Sequence, residues 1–433
     1  MENNPSAVAT HSPPPQDRPR AASWLTFGLV FLLMMVDYID RQIIVSMFPH
    51  LKEEFSLSDT QLGALVSVVA LAVGVGVFPI AMLVDRWSRT KGILIMGSLW
   101  SLATMACGWA TNYTQLFASR MVVGIGEAGY GPAGSALLSS KFPTAMRGFI
   151  LGAFQSAAGI GSIVGVVLGG FITAQWGWRA AFGIVGIPGL VLALLFWFVP
   201  DYKTISVQED GATKSDGIKT LFVAVFRELR STRTALFMSL GGAMQLAVIS
   251  TMTTWLPSFF NRVHGVSTQQ AGAMTGIAIL AFSIGAAVWG KVVDRAGATT
   301  PSNKMLVLAG LCVATTITFA VAFGAMPVGK RQIGLIVLGG FLMSCTLGTV
   351  LSITLDVIQP AFRATAAAFT TLVGNLGIAG GPFLLGILSD QFGLQTALTW
   401  VPVLSLAAAY LILVASRTYA SDTARAVAFA QST

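Results

Sequence analysis

Long apolar runs alternate with short polar breaks along this chain, and the runs are too long for the core helices of a soluble domain. A bilayer core about 30 Å thick takes roughly 20 apolar residues as a helix. Stretches at about 23–47, 61–83, 92–111, 114–138, 149–174, 180–199, 234–256, 270–290, 304–324, 333–357, 364–388 and 394–416 meet that template. Helices satisfy every backbone group within one segment, as lipid demands. The uninterrupted runs exclude a membrane barrel, whose strands alternate apolar and polar residues. The pattern therefore predicts an all-α membrane protein with twelve transmembrane helices.

The polar stretch 200–233 is the longest between runs and divides the chain into an N-terminal bundle, 23–199, and a C-terminal bundle, 234–416. Tails at 1–22 and 417–433 flank them, the first polar and carrying Pro13, Pro14 and Pro15. That first tail lacks the charged-then-apolar layout of a cleaved signal and is expected to be disordered. The halves repeat. Asp85-Arg86 follows the second run and Asp294-Arg295 the eighth, 209 positions later, and Gly165 and Gly374 keep the same offset. A duplicated six-helix unit is the layout of a rocking transporter, with its site at midplane between the halves. Nineteen of the 26 Lys and Arg residues fall in the tails and in loops on one side, which the positive-inside rule assigns to the cytoplasm together with both termini.

Composition agrees: 54% of residues are hydrophobic and only 10% charged, against roughly a quarter charged in soluble domains. The net charge of +8 is spread over short loops and forms no nucleic-acid patch. Cys107, Cys312 and Cys345 lie in apolar runs, without disulfide or metal spacing, and the three histidines form no metal-ligand pattern. No phosphate-cradling loop, nucleophile elbow or zinc motif occurs, so neither an ATP-driven pump nor an enzyme is expected, and no cofactor.

The chemistry is expected where charge lies inside an apolar run, since an ionisable side chain at mid-bilayer costs at least roughly 2.5 kcal/mol and must face a cavity or a partner. Asp37, Asp40 and Arg41 lie in the first run; Arg120 and Glu127 lie in the fourth, seven residues apart on one face. The spacing puts Asp37 one turn from Arg41 and suggests an Arg120–Glu127 pair. An arginine keeps its proton while a carboxylate can release one. An arriving anion could compete for the arginine and free Glu127 to take a proton, and protonation would favour the anion in return. Gln245 and Trp255 in the seventh run and Asn375 in the eleventh are polar or amphipathic groups at cavity depth, and a buried amide needs partners. Thr251 and Thr254 are expected to bond their own helix backbone, and Asp356 to be structural. Glycines at 159, 161, 165, 169 and 170, mirrored by 374, 377, 380 and 381, predict close helix packing.

Asp85-Arg86-x-x-Arg89 after the second run resembles the signature of the major facilitator superfamily, with Ala81 and Ser88 where glycines are common. That resemblance spans the whole chain and implies a fold of two pseudo-symmetric six-helix bundles. It also implies a gate role for Asp85, Arg86 and Arg89, repeated at Asp294 and Arg295. More narrowly, Asp37-Tyr-Ile-Asp40-Arg41, Arg120 with Glu127 in the Gly124–Pro132 motif that includes Tyr130, and Gly177-Trp-Arg179 resemble the bacterial spinster-like group. The Asp-Arg and Arg-x6-Glu pairs are also similar to those of the anion:cation symporters, which import sugar acids and aromatic acids with protons. Together these resemblances imply a secondary transporter of the bacterial inner membrane, with Asp40, Glu127 and Asp37 coupling protons. Arg41, Arg120, Tyr130, Gln245, Trp255 and Asn375 would meet substrate. Two intramembrane arginines favour a small organic anion; the spinster-like resemblance implies, as the alternative, export of a lysolipid or other amphiphile. The partners expected are substrate, protons and the bilayer, with the protein a monomer.

Overall fold

The computed structural model describes residues 21–201, 232–298, 300, 302–359 and 362–432. The expected tail before residue 21 and nearly all of the central stretch 200–233 lie outside them. The first bundle holds α1 (Ala21–Phe55), α2 (Asp59–Trp87), α3 (Arg89–Gly108) and α4, which is broken into Tyr113–Glu127 and Tyr130–Lys141. The run Thr144–Leu195 is divided at Gly177, whose φ of 80° is left-handed, into α5 (144–176) and α6 (178–195). The second bundle holds α7 (Arg233–His264), α8 (Thr268–Gly297), α9 (Asn303–Ala325), α10, broken into Lys330–Met343 and Thr349–Asp356, α11 (Arg363–Phe392), and α12, in two pieces, Leu394–Trp400 and Val403–Ser416. A last helix, α13 (Tyr419–Ser432), occupies the expected C-terminal tail.

Ten described stretches are long and apolar enough to cross a membrane. The break in α4 hides one further span and the continuity of α5 with α6 another, which completes the twelve.

The repeat extends to helix ends. Ser58 caps α2 in a box with Gln61, and Ser267 caps α8 in a box with Gln270, again 209 positions on. Each box satisfies two helix-terminal N–H groups that lipid could not. The glycines set packing. A methyl group at Gly161, Gly165 or Gly169 of α5 would strike the carbonyls of Met35, Ile39 or Ile43 of α1, at 2.7 Å for Gly165 and 2.9 Å for Gly169. Both helices advance four residues per contact, the register of close small-residue packing. On α11, Gly377 and Gly381 meet the carbonyls of Ala243 and Ala247 on α7 in the same way. Contacts between the bundles repeat the symmetry: Gly170 and Gly272 join α5 to α8, and Gly63 and Gly386 join α2 to α11.

At the end opposite the chain termini, polar contacts cross between the bundles. The buried Asp59 carboxylate at the start of α2 accepts from Lys52 Nζ at 2.5 Å and from Ser389 Oγ on α11 at 2.5 Å. Arg262 Nη1 on α7 reaches both of its oxygens at 2.9 Å. Asp390 takes the backbone N–H groups of Asp59 and Thr60, at 2.7 and 2.9 Å, and the Thr60 hydroxyl at 2.6 Å. Near the termini, by contrast, Ser88 bonds Asp201, Lys304 pairs with Asp356 and Asp422 caps Thr234 N–H, each within its own half. Asp356 also accepts from the Tyr419 hydroxyl, a structural setting.

Replacing Asp59 with alanine strands Arg262 and Lys52. The expected cost is about 2 kcal/mol, less than for a fully buried pair because both cations are partly exposed. A purified Asp59→Ala variant that melts with the wild type would show the seal to be inert. Gly161→Leu should lower the melting temperature by about 3 °C or more through overpacking. Gly152→Ala, which meets no atom within 4 Å, should leave it unchanged. Equal melting of the two variants would contradict the glycine assignment.

Candidate functional site

Asp37, Asp40 and Arg41 share one face of α1, because residues three and four apart lie on the same side of a helix. That face meets α3 and α4 while the α5 glycines pack along another. In α4 the motif glycines each face a neighbour: a methyl at Gly124 would fall 2.6 Å from the Val69 carbonyl of α2, and one at Gly126 2.8 Å from the Trp100 nitrogen of α3. Only a backbone without side chains there lets α4 run between those helices. Glu127 is the last residue before the α4 break and its side chain is fully buried.

Two pairs cross between helices, in place of the Asp40–Arg41 pair that the resemblance implied and the Arg120–Glu127 pair that spacing suggested. Arg41 Nη2 lies 2.9 Å from Glu127 Oε2, and Arg41 Nε 3.4 Å from Asp37 Oδ1. Arg120 Nη1 lies 3.6 Å from Asp40 Oδ1. Helix geometry explains the exchange of partners. Neighbours such as Asp40 and Arg41 point about 100° apart, and Arg120 and Glu127 are separated by about 10 Å along the axis. The expected i,i+4 contact of Asp37 with Arg41 is present. Distance and alignment also part company: neither Glu127 oxygen accepts a hydrogen bond, and Arg120 Nε and Nη1 donate none. These ion pairs are near but not locked.

Two features give the cluster its chemistry. Three carboxylates face two guanidinium groups, so it is neutral when one proton is bound and negative when none is. Access is unequal: the Arg41 side chain is 26% exposed and that of Arg120 1%. The Arg41 guanidinium also lies over the Tyr38 ring, 5.2 Å from its centre, a favourable cation–π placement. Arg41 is therefore the reachable cation and Arg120 the interior one.

The remaining candidates lie elsewhere. Tyr130 is buried against Trp100 and Phe154, and its hydroxyl donates to the Val30 carbonyl. Gln245 is fully buried and donates to the Met343 carbonyl at the α10 break, 3.0 Å away. Trp255 belongs to the sealed end, with its indole N–H 3.2 Å from the Pro382 carbonyl and its ring edge-on to Phe48. Asn375 is half-buried against Gly74 of α2. Arg89 begins α3, half-buried, and Asp294 and Arg295 are exposed at the end of α8. The side chains of Asp85 and Arg86 lie outside the described residues. Two groups were missed in the sequence: Thr104, whose hydroxyl donates to Asp40 Oδ2 at 2.8 Å, and the Asp59–Arg262 seal. Asp59 sits in the first turn of a helix, where an acid is common for its own sake.

The chain is 26% identical over 423 residues to the gallate transporter of Pseudomonas putida, covering 92% of this chain and 93% of that one. It is 24% identical over 372 residues to the hexuronate transporter of Bacillus subtilis strain 168, covering 84% and 87%. Its fold matches the crystal structure of a bacterial homolog to the human lysosomal transporter Spinster, in the inward-facing and unoccupied conformation. That match has a TM-score of 0.79 at 23% identity and covers 93% of this chain and 98% of that one. Residues 30–382 match the profile described as the Major Facilitator Superfamily; the chain belongs to that superfamily and is a membrane transporter, not an enzyme.

Proposed function

We propose that this transporter couples protons to the symport of a small organic anion, a carboxylate or sugar acid, by alternating access between its two bundles. The observation that carries the reading is the buried cluster of three carboxylates and two arginines between α1 and α4, with one arginine reachable. Bringing an anion to Arg41 adds a negative charge where neutrality already requires one proton. In a low-dielectric surround the anion raises the cluster's demand for a proton, and a proton on Glu127 releases Arg41 to the anion. Each favours the other, as linkage requires. Relatives that carry gallate and hexuronate support the substrate class.

Asp40, Glu127 and Asp37 are assigned to proton coupling and Arg41 to the substrate carboxylate, with Arg120 holding Asp40. We place the protein as a monomer in a bacterial inner membrane with both termini in the cytoplasm, on the distribution of its basic residues. The bundles 23–199 and 234–416 would rock as units about the site.

In liposomes with an imposed proton gradient, Glu127→Gln should lose uphill uptake while counterflow exchange continues; wild-type coupling in that variant would sink the assignment. Arg41→Lys gives up the planar two-pronged donor and should weaken anion binding roughly tenfold. A thermal-shift series with gallate, galactonate, glucuronate and a lysolipid reads the substrate class, because bound ligand raises apparent stability by mass action. Stabilisation by the lysolipid alone would overturn the organic-anion reading.

A further inference from the structure

Threonines inside these helices mostly spend their hydroxyl on their own backbone. Thr251, Thr275, Thr315 and Thr354 each donate to the carbonyl four residues back, at 2.7 or 2.8 Å. That is the ordinary resting arrangement of a helical threonine. Thr104 on α3 departs from it. Its side chain is buried, it forgoes the carbonyl of Trp100, and it donates across the bundle to Asp40 Oδ2 at 2.8 Å.

That bond has no competitor. Among the described residues it is the one hydrogen bond that the Asp40 carboxylate accepts. Its other oxygen, Oδ1, has only Arg120 Nη1 at 3.6 Å. The charged and titratable groups facing Asp40 are Asp37 and Arg41 from α1, Arg120 and Glu127 from α4, and the Cys107 thiol from α3. None of them aims a hydrogen bond at it. A neutral hydroxyl thus supplies what the arginine, by its alignment, does not.

We propose that Thr104 is a positioning residue for proton coupling: its hydroxyl fixes the Asp40 carboxylate and sets how readily that carboxylate takes and gives up a proton. A hydroxyl that donates to a carboxylate favours the ionised form, because a protonated carboxyl accepts more weakly. Thr104 therefore helps Asp40 release its proton after each delivery. Without it Asp40 keeps the proton to higher pH and returns it slowly. The inference rests on the proposed coupling role of Asp40, and the two can fail separately.

The test titrates the proton itself, so no substrate needs to be known. Infrared difference spectra of the purified protein follow the protonated-carboxyl band against pH in the wild type, Asp40→Asn, Thr104→Val, Thr104→Ala and Thr104→Ser. A band lost in Asp40→Asn reports Asp40. In Thr104→Val its midpoint should move to higher pH by about one unit, the worth of one hydrogen bond to a charged group. Thr104→Ser should restore the wild-type midpoint, and Thr104→Ala serves if the valine variant does not fold. An Asp40 band that stays in place in both Val and Ala variants overturns the role of Thr104 and leaves the coupling reading standing. A wild type with no Asp40-dependent band overturns both.

Discussion

An ionised group surrounded by hydrocarbon has no solvent to turn to, so its counter-charge must be built into the protein. In this transporter that requirement draws three helices together. Arg41 on α1 finds Glu127 on α4, Arg120 on α4 finds Asp40 on α1, and Thr104 joins from α3. Helices can come that close only if little lies between their backbones. The glycines of α5 behind α1, and those of α4 against α2 and α3, supply that room. Packing and electrostatics here are one design: a bulky residue at Gly126 would displace Glu127 as surely as a change to Arg41.

The two halves share a frame and differ in what it holds. Capping boxes, glycine steps and the breaks in α4 and α10 all recur in the second half. At the α4 break the first half places a carboxylate, Glu127. At the α10 break the second half places a neutral amide, with Gln245 bonded to the Met343 carbonyl. A neutral pair holds its geometry whatever the proton load. Under the proposed proton coupling, the second bundle would stay constant while the first changes its charge.

Much of this was legible in the sequence because it is local. The spans follow from apolar length, and the glycine step of four from helix periodicity. The charges were found because an acid or arginine inside an apolar run has so few explanations. What could not be read is which charge meets which. Asp40 and Arg41 are neighbours in the chain and point apart on the helix; their partners come from another helix and depend on its rotation. Thr104 was hidden for a similar reason, since a threonine that bonds its own backbone and one that holds a carboxylate look the same in sequence. Capping boxes such as those of Ser58 and Ser267 are readable in principle, because they are local. That Asp59 beside one of them would collect Lys52, Arg262 and Ser389 was not, because those groups come from three parts of the chain.

The helix after the last span is more than a trailing end. Asp422 of α13 accepts from the Thr234 N–H at 3.0 Å, and Arg425 reaches the Thr232 hydroxyl at 2.7 Å, so the first turn of α7 is finished by a side chain nearly two hundred residues later. Shortening the protein at Ser416, the natural choice for a compact expression version, would leave that turn open. A fusion partner joined directly after Ser416 would occupy the same place. The second bundle is completed only once the chain has been made past its last membrane crossing.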